Sequence, residues 1–66
     1  MKIILNGEQK EFDVGITLKE LIAKEGIENK VMAAAINMQI VKKDEWNKRE
    51  LCENDKVELL QFVGGG

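Results

Sequence analysis

The segment with the clearest helical periodicity is confined between Gly15 and Gly26, and that confinement decides most of what the chain can fold into. Leu18, Leu21 and Ile22 recur at helical spacing and form one apolar stripe. Thr17-Leu18-Lys19-Glu20 reads as a capping box: the Thr17 hydroxyl takes the Glu20 amide, and the Glu20 side chain returns to Thr17. Gly26 is a left-handed stop after Glu25. The spacing predicts a helix of about 8 or 9 residues, too short to persist in water without packing on another element. A sheet has to supply that support.

Strand signals surround the helix. Lys2 to Asn6 alternates, with Ile3 and Leu5 on one face and Lys2, Ile4 and Asn6 on the other. Asn6-Gly7 is the dipeptide that a type I′ hairpin turn favours, since both residues tolerate positive φ. The returning strand is predicted over Gln9 to Val14, with Phe12 and Val14 inward and the stem of Lys10 at the edge. Val31 to Ile36 reads as a buried central strand, and Asn37-Met38-Gln39 as a turn into a short strand at Ile40-Val41. Lys42 to Glu50 is polar apart from Trp46 and reads as a loop or one helical turn. After Leu51-Cys52 and a turn at Glu53-Asn54-Asp55-Lys56 comes the last strand, Val57 to Phe62. Strands before and after a single helix in 66 residues predict an α+β roll.

Sixty-six residues make one domain, because a second core does not fit. The expected division is a folded domain over 1–63 and a flexible glycine tail over 64–66. One Cys and no His exclude an internal disulfide and a cluster of soft metal ligands. The 10 basic residues are scattered among 12 acidic ones, which argues against nucleic acid as a partner. The apolar run Val31 to Ile36 is far short of the roughly 20 residues a membrane span needs, and Ile3-Ile4-Leu5 is too short for a signal core. A reducing cytoplasm is the expected setting.

The chemistry is expected at Gly64-Gly65-Gly66. Three glycines pack nothing and cost the most entropy to order, so they are either a plain frayed end or a thread for a narrow channel in a partner, and their place directly after the last strand favours the thread. From Val63 to Gly66 the reach is roughly 13 Å. The terminal carboxylate is ionised at neutral pH and is a poor electrophile. With no phosphate-cradling motif, no His base and no metal site in the chain, its activation falls to a partner that uses ATP. As a mixed anhydride, the Gly66 carbonyl accepts an amine, a thiol or a sulfide.

From end to end the chain resembles the ThiS family, the sulfur carriers of thiamine biosynthesis. The resemblance is carried by Ile3-Ile4-Leu5-Asn6-Gly7, by Ala35-Ile36-Asn37 with Ile40-Val41, and by Trp46. It continues through Leu51, Asn54-Asp55-Lys56-Val57-Glu58-Leu59 and Phe62-Val63-Gly64-Gly65-Gly66. It implies a β-grasp, ubiquitin-like fold: a mixed sheet of four or five strands on one main helix. It also implies that the chain is a protein co-substrate with no cofactor of its own. A ThiF-like, E1-type enzyme uses ATP and magnesium to adenylate Gly66, a cysteine desulfurase or other donor supplies sulfur, and thiazole synthase consumes the resulting thiocarboxylate. One departure is Lys42-Lys43, where many members place Pro and a basic residue. The alternatives are a ubiquitin-like modifier joined to lysines and a carrier for another pathway such as molybdopterin synthesis. The molybdopterin synthase small subunit tends to have prolines before its Gly-Gly, and this chain has none.

Alternation along the last strand turns Val57 and Leu59 inward and Glu58, Leu60 and Phe62 outward. Ile4, Leu60 and Phe62 are therefore expected to form an apolar grip for partners, with Val63, Gly64 and Gly65 threaded behind it, unless a loop or the strand edge covers them. Asp44, Glu45, Glu50, Glu53, Asp55 and Glu58 make the C-terminal half acidic, as a rim for a basic partner or as plain solvated surface. Cys52, with no His to activate it, is expected to be a small core residue. Trp46 is expected to close the core as a lid, and Met32 and Met38 to be packing residues.

Overall fold

The computed structural model describes residues 1–62. Five strands and one helix follow in the order β1 (Lys2–Leu5), β2 (Glu8–Glu11), α1 (Leu18–Lys24), β3 (Val31–Ile36), β4 (Gln39–Val41) and β5 (Lys56–Gln61). A 3-10 turn at Lys43–Glu45 lies between β4 and β5. The sheet order is β2-β1-β5-β3-β4, so the last strand enters the middle. There β5 runs parallel to β1 and antiparallel to β3.

The helix is built as its ends dictate. Glu20 N–H donates to Thr17 Oγ1 at 3.2 Å and Thr17 N–H to Glu20 Oε1 at 2.9 Å, completing the capping box. The next two orphan amides are met by the loop beneath: Leu18 N–H donates to Arg49 O at 2.9 Å and Lys19 N–H to Trp46 O at 3.0 Å. At the other end Gly26, at φ 71°, donates to Ala23 O and Ile27 N–H to Ile22 O, the paired bonds of a Schellman stop. Leu18, Leu21 and Ile22 are buried against Ile3, Leu5, Val31, Ala34, Ile36, Val57 and Leu59 of the sheet's inner face. Trp46 closes this core as expected, and its Nε1 donates to Val41 O at 2.9 Å.

Four expectations about packing are corrected. β2 ends at Glu11, and only one further rung follows the Lys2–Glu11 pair, in which Met1 and Phe12 exchange main-chain bonds at 2.8 and 2.9 Å. Phe12 still packs on the core, its N–H held by Met1 O, but Val14 has swung out and is 85% exposed. Met32 is outward because of a bulge: Val31 pairs with Gln61 and Ala33 with Leu60, so β3 spends one extra residue there. That extra residue is what lets Val31 and Ala34, three positions apart, both face inward. Met38 sits at φ 74° in the β3–β4 turn and is exposed. Cys52 is exposed too, in a turn outside any strand, with its N–H donated to Asp55 Oδ2 at 2.8 Å.

Candidate functional site

The strand that leads to the tail is held from both sides. On the β1 side, Asn6 stands at φ 48° at the hairpin corner, where the strand itself has ended. Its N–H donates to Val57 O at 2.9 Å and its Oδ1 accepts from Leu59 N–H at 2.8 Å, so one residue extends the pairing by two rungs. On the β3 side, the last described main-chain tie is Phe62 N–H to Lys30 O at 2.6 Å. The exit point of the chain is therefore fixed at Phe62. Val63, Gly64, Gly65 and Gly66, the residues on which the expected chemistry falls, lie outside the described residues.

Around that exit the outer face of the sheet is apolar. Leu60 (61% exposed), Met32 (61%), Ile40 (73%) and Phe62 (60%) are all solvent-accessible. The pairings Ala33–Leu60 and Ala35–Ile40 place small side chains between the large ones, leaving a shallow groove of about 320 Å³ over Ala33, Ala35, Ile40 and Leu60. Glu58 and Asn6 close it on the polar side. Exposed apolar area collected on one sheet face is the kind of surface at which proteins bind other molecules.

Of the three residues expected to grip partners, Leu60 and Phe62 stand at the exit. Ile4 does not join them: it is half-buried beside Gln9 and Lys56, four residues back along β5 from Leu60, roughly 13 Å at strand spacing. Met32 and Ile40 take its place. Ile40 was legible from its alternation with Val41, whereas Met32 depends on the bulge, for which the sequence carries no signal. The acidic residues are also dispersed. Asp55 is turned inward to Cys52 and Asn37, Glu53 accepts from Lys2 N–H at 3.2 Å, and Glu58 lies on the sheet face. No group of His, Cys, Asp or Glu able to hold a metal ion occurs among the described residues, and no helix among them is long and apolar enough to cross a membrane.

A mixed sheet clasping one helix, with its middle strand running out past an apolar face, defines a β-grasp protein of the ubiquitin-like class. The comparisons with known proteins narrow the class. The model of the ThiS family matches residues 3–66. The sulfur carrier protein ThiS of Bacillus subtilis is 38% identical over 64 residues, covering 94% of this chain and 96% of the relative. The thiazole synthase of Paramagnetospirillum magneticum is 32% identical across the whole chain, which spans only 20% of that relative's length. Among solved structures, the thiamine biosynthesis protein ThiS of Geobacter metallireducens superposes with a TM-score of 0.82 at 23% identity, with both chains fully covered, and so shares the fold. The chain belongs to the ThiS family.

Proposed function

We propose that the protein is the sulfur carrier of thiamine biosynthesis, with the Gly66 carboxylate as its working group. The carboxylate oxygen attacks the α-phosphorus of ATP in an adenylating partner of the ThiF type, pyrophosphate leaves, and the carbonyl becomes an acyl adenylate. A sulfur nucleophile then displaces AMP. Hydrosulfide yields the thiocarboxylate directly, whereas a persulfide from a cysteine desulfurase yields an acyl disulfide that a thiol must cleave. ATP and magnesium belong to the partner, and this chain is a co-substrate in the cytoplasm. Thiazole synthase is the proposed acceptor. That reading is supported by relatives in which sequence similar to this whole chain is part of a thiazole synthase polypeptide.

One observation carries the proposal: the family match runs through the glycine tail, and the strand leading to that tail ends beside an exposed apolar patch. A substrate presented by its terminus needs both a thread and a grip. The deciding experiment is intact-mass analysis after incubation with ATP, magnesium, the adenylating enzyme and sulfide. An AMP adduct followed by exchange of one terminal oxygen for sulfur is the expected result. Attachment to lysines of other proteins refutes the carrier reading in favour of a modifier, and full reactivity without Gly66 refutes the role of the tail.

A further inference from the structure

The chain is acidic overall, yet its cations are not evenly spread. The eight residues from Lys42 to Arg49 hold four cations and two acids, whereas the other 58 hold six cations and ten acids. Three of those four cations converge. Lys42, Lys48 and Arg49 line one groove of about 310 Å³ with Ile40, Val41 and Glu45, along the outer edge of β4. All three are exposed, and none forms an ion pair among the described residues, where Lys10–Glu25 is the one salt bridge. The fourth, Lys43, lies over the Trp46 ring at 5.8 Å and is set apart from the groove.

Two features say what the groove suits. Ile40 lines both this groove and the apolar one over Ala33, Ala35 and Leu60, so the cations form the rim of the proposed partner surface. An apolar centre with a charged rim is the anatomy of a protein–protein interface. Along the groove, moreover, no aromatic ring is offered for base stacking, since Trp46 is buried in the core. Lone cations held at a rim act through long-range attraction, speeding encounter more than they tighten the final complex.

We infer that Lys42, Lys48 and Arg49 form a docking rim for a carboxylate-bearing segment of the partner that activates the tail. The inference rests on the carrier reading and adds the charge of the partner to it. It reverses the expectation of a basic partner drawn from the acidic residues of the C-terminal half. Arg49 is suited to a bidentate carboxylate contact, and the two lysines to a diffuse field.

The test is adenylation kinetics of the full chain at several ionic strengths. The double variant Lys48→Glu, Arg49→Glu is expected to lose about tenfold or more in kcat/KM at low salt, with kcat unchanged at saturation. The wild-type rate is expected to fall with salt and the variant's rate not to fall. Lys19→Glu, Lys24→Glu on the helix makes the same change in net charge and is expected to stay within about twofold of wild type, because a rim acts locally. Equal kcat/KM in the wild type and the rim variant, or equal losses in both double variants, overturns the inference while leaving the carrier reading intact. Retention of single-stranded DNA through Lys48 and Arg49 at physiological salt also overturns it. If the wild-type mass never gains AMP from the enzyme, the carrier reading falls and the rim falls with it.

Discussion

Replacing Asp55 with Ala should cost the protein much of its stability while sparing tail chemistry. Asp55 is 9% exposed, and its carboxylate is the hub of the junction between β5 and the β3–β4 hairpin. It accepts from Cys52 N–H at 2.8 Å and from Asn37 Nδ2 at 2.9 Å. Asn37 in turn receives Lys56 N–H on its Oδ1 at 3.0 Å and donates its own N–H to Lys56 O at 2.8 Å. Hydrogen bonds to a charged group contribute about 1.5–3 kcal/mol each, and partial access of water to Cys52 and Asn37 favours the lower figure. Two such bonds give a loss of about 3 kcal/mol. At about 4–8 °C per kcal/mol for a domain of this size, the melting midpoint should fall by roughly 12–24 °C. Urea unfolding followed by Trp46 fluorescence measures the loss. Asp55→Asn, which keeps one acceptor oxygen, should lose about half as much. A cycle with Asn37→Ala should show coupling of about 1 kcal/mol between the two side chains. Asp55 precedes β5 and the tail follows it, roughly 20 Å away at strand spacing, so adenylation measured well below the midpoint should be unchanged. A loss under about 1 kcal/mol, or zero coupling with Asn37, refutes the assignment of Asp55 as the hub.

Three shorter predictions follow from the same geometry. Leu60→Asp should lower kcat/KM for adenylation by about 30-fold, the loss of an anchor of about 2 kcal/mol, with unchanged circular dichroism, whereas Ile4→Asp should cost adenylation far less. Equal effects of the two refute the placement of the patch. Val14→Ser should change stability by no more than about 0.5 kcal/mol in urea unfolding, because the side chain is exposed. Glu25 lies 2.8 Å from Lys10 Nζ, and its hydrogen bond and then its charge raise the Lys10 pKa above the ordinary value. The charged lysine is thus favoured in the folded protein; its contribution is whole below the unfolded pKa and is lost as pH rises through the folded one. Glu25→Gln should therefore bring the Lys10 titration, followed by NMR of its side chain, to a lower pH.

Local signals were reliable where the local chain decides the outcome. Asn6-Gly7, at φ 48° and 84°, forms its turn through its own backbone freedom. The Thr17–Glu20 box and the Gly26 stop satisfy the helix ends with residues a few positions apart. Alternation along β5 placed Val57 and Leu59 inside and Leu60 outside, as found. The misplacements share a different cause. Val14 fits the period of Phe12, but whether a strand continues depends on a neighbour, and the last tie to the β1 side is the Met1–Phe12 rung. Met32 continues the run Val31 to Ile36, yet only the register between β3 and β5 determines that a residue bulges there. Cys52 reads as strand beside Leu51, although Asp55 draws its amide into a turn. Ile4 shares a face with Leu60, but their separation along the sheet follows from the parallel β1–β5 register.

The position of β5 explains how so small a protein combines stability with a free outer face. A middle strand is paired on both edges, so its inward residues Val57 and Leu59 are secured by the helix while its outward residues remain free for a partner. The same strand then carries the chain to Phe62, beside that free face. Had the chain ended on β2 or β4, the strand leading to the tail would have had a neighbour on one side only. Pulling on the terminus would then peel that strand away rung by rung. With β5 in the middle, force from the C-terminal side meets the β3-side bonds of Phe62 and Gln61 first and, from Leu59 inward, hydrogen bonds on both sides. Asn6 and Lys30 hold the last rungs, one from each side. An enzyme that binds the outer face of β5 therefore meets a strand anchored to both of its neighbours.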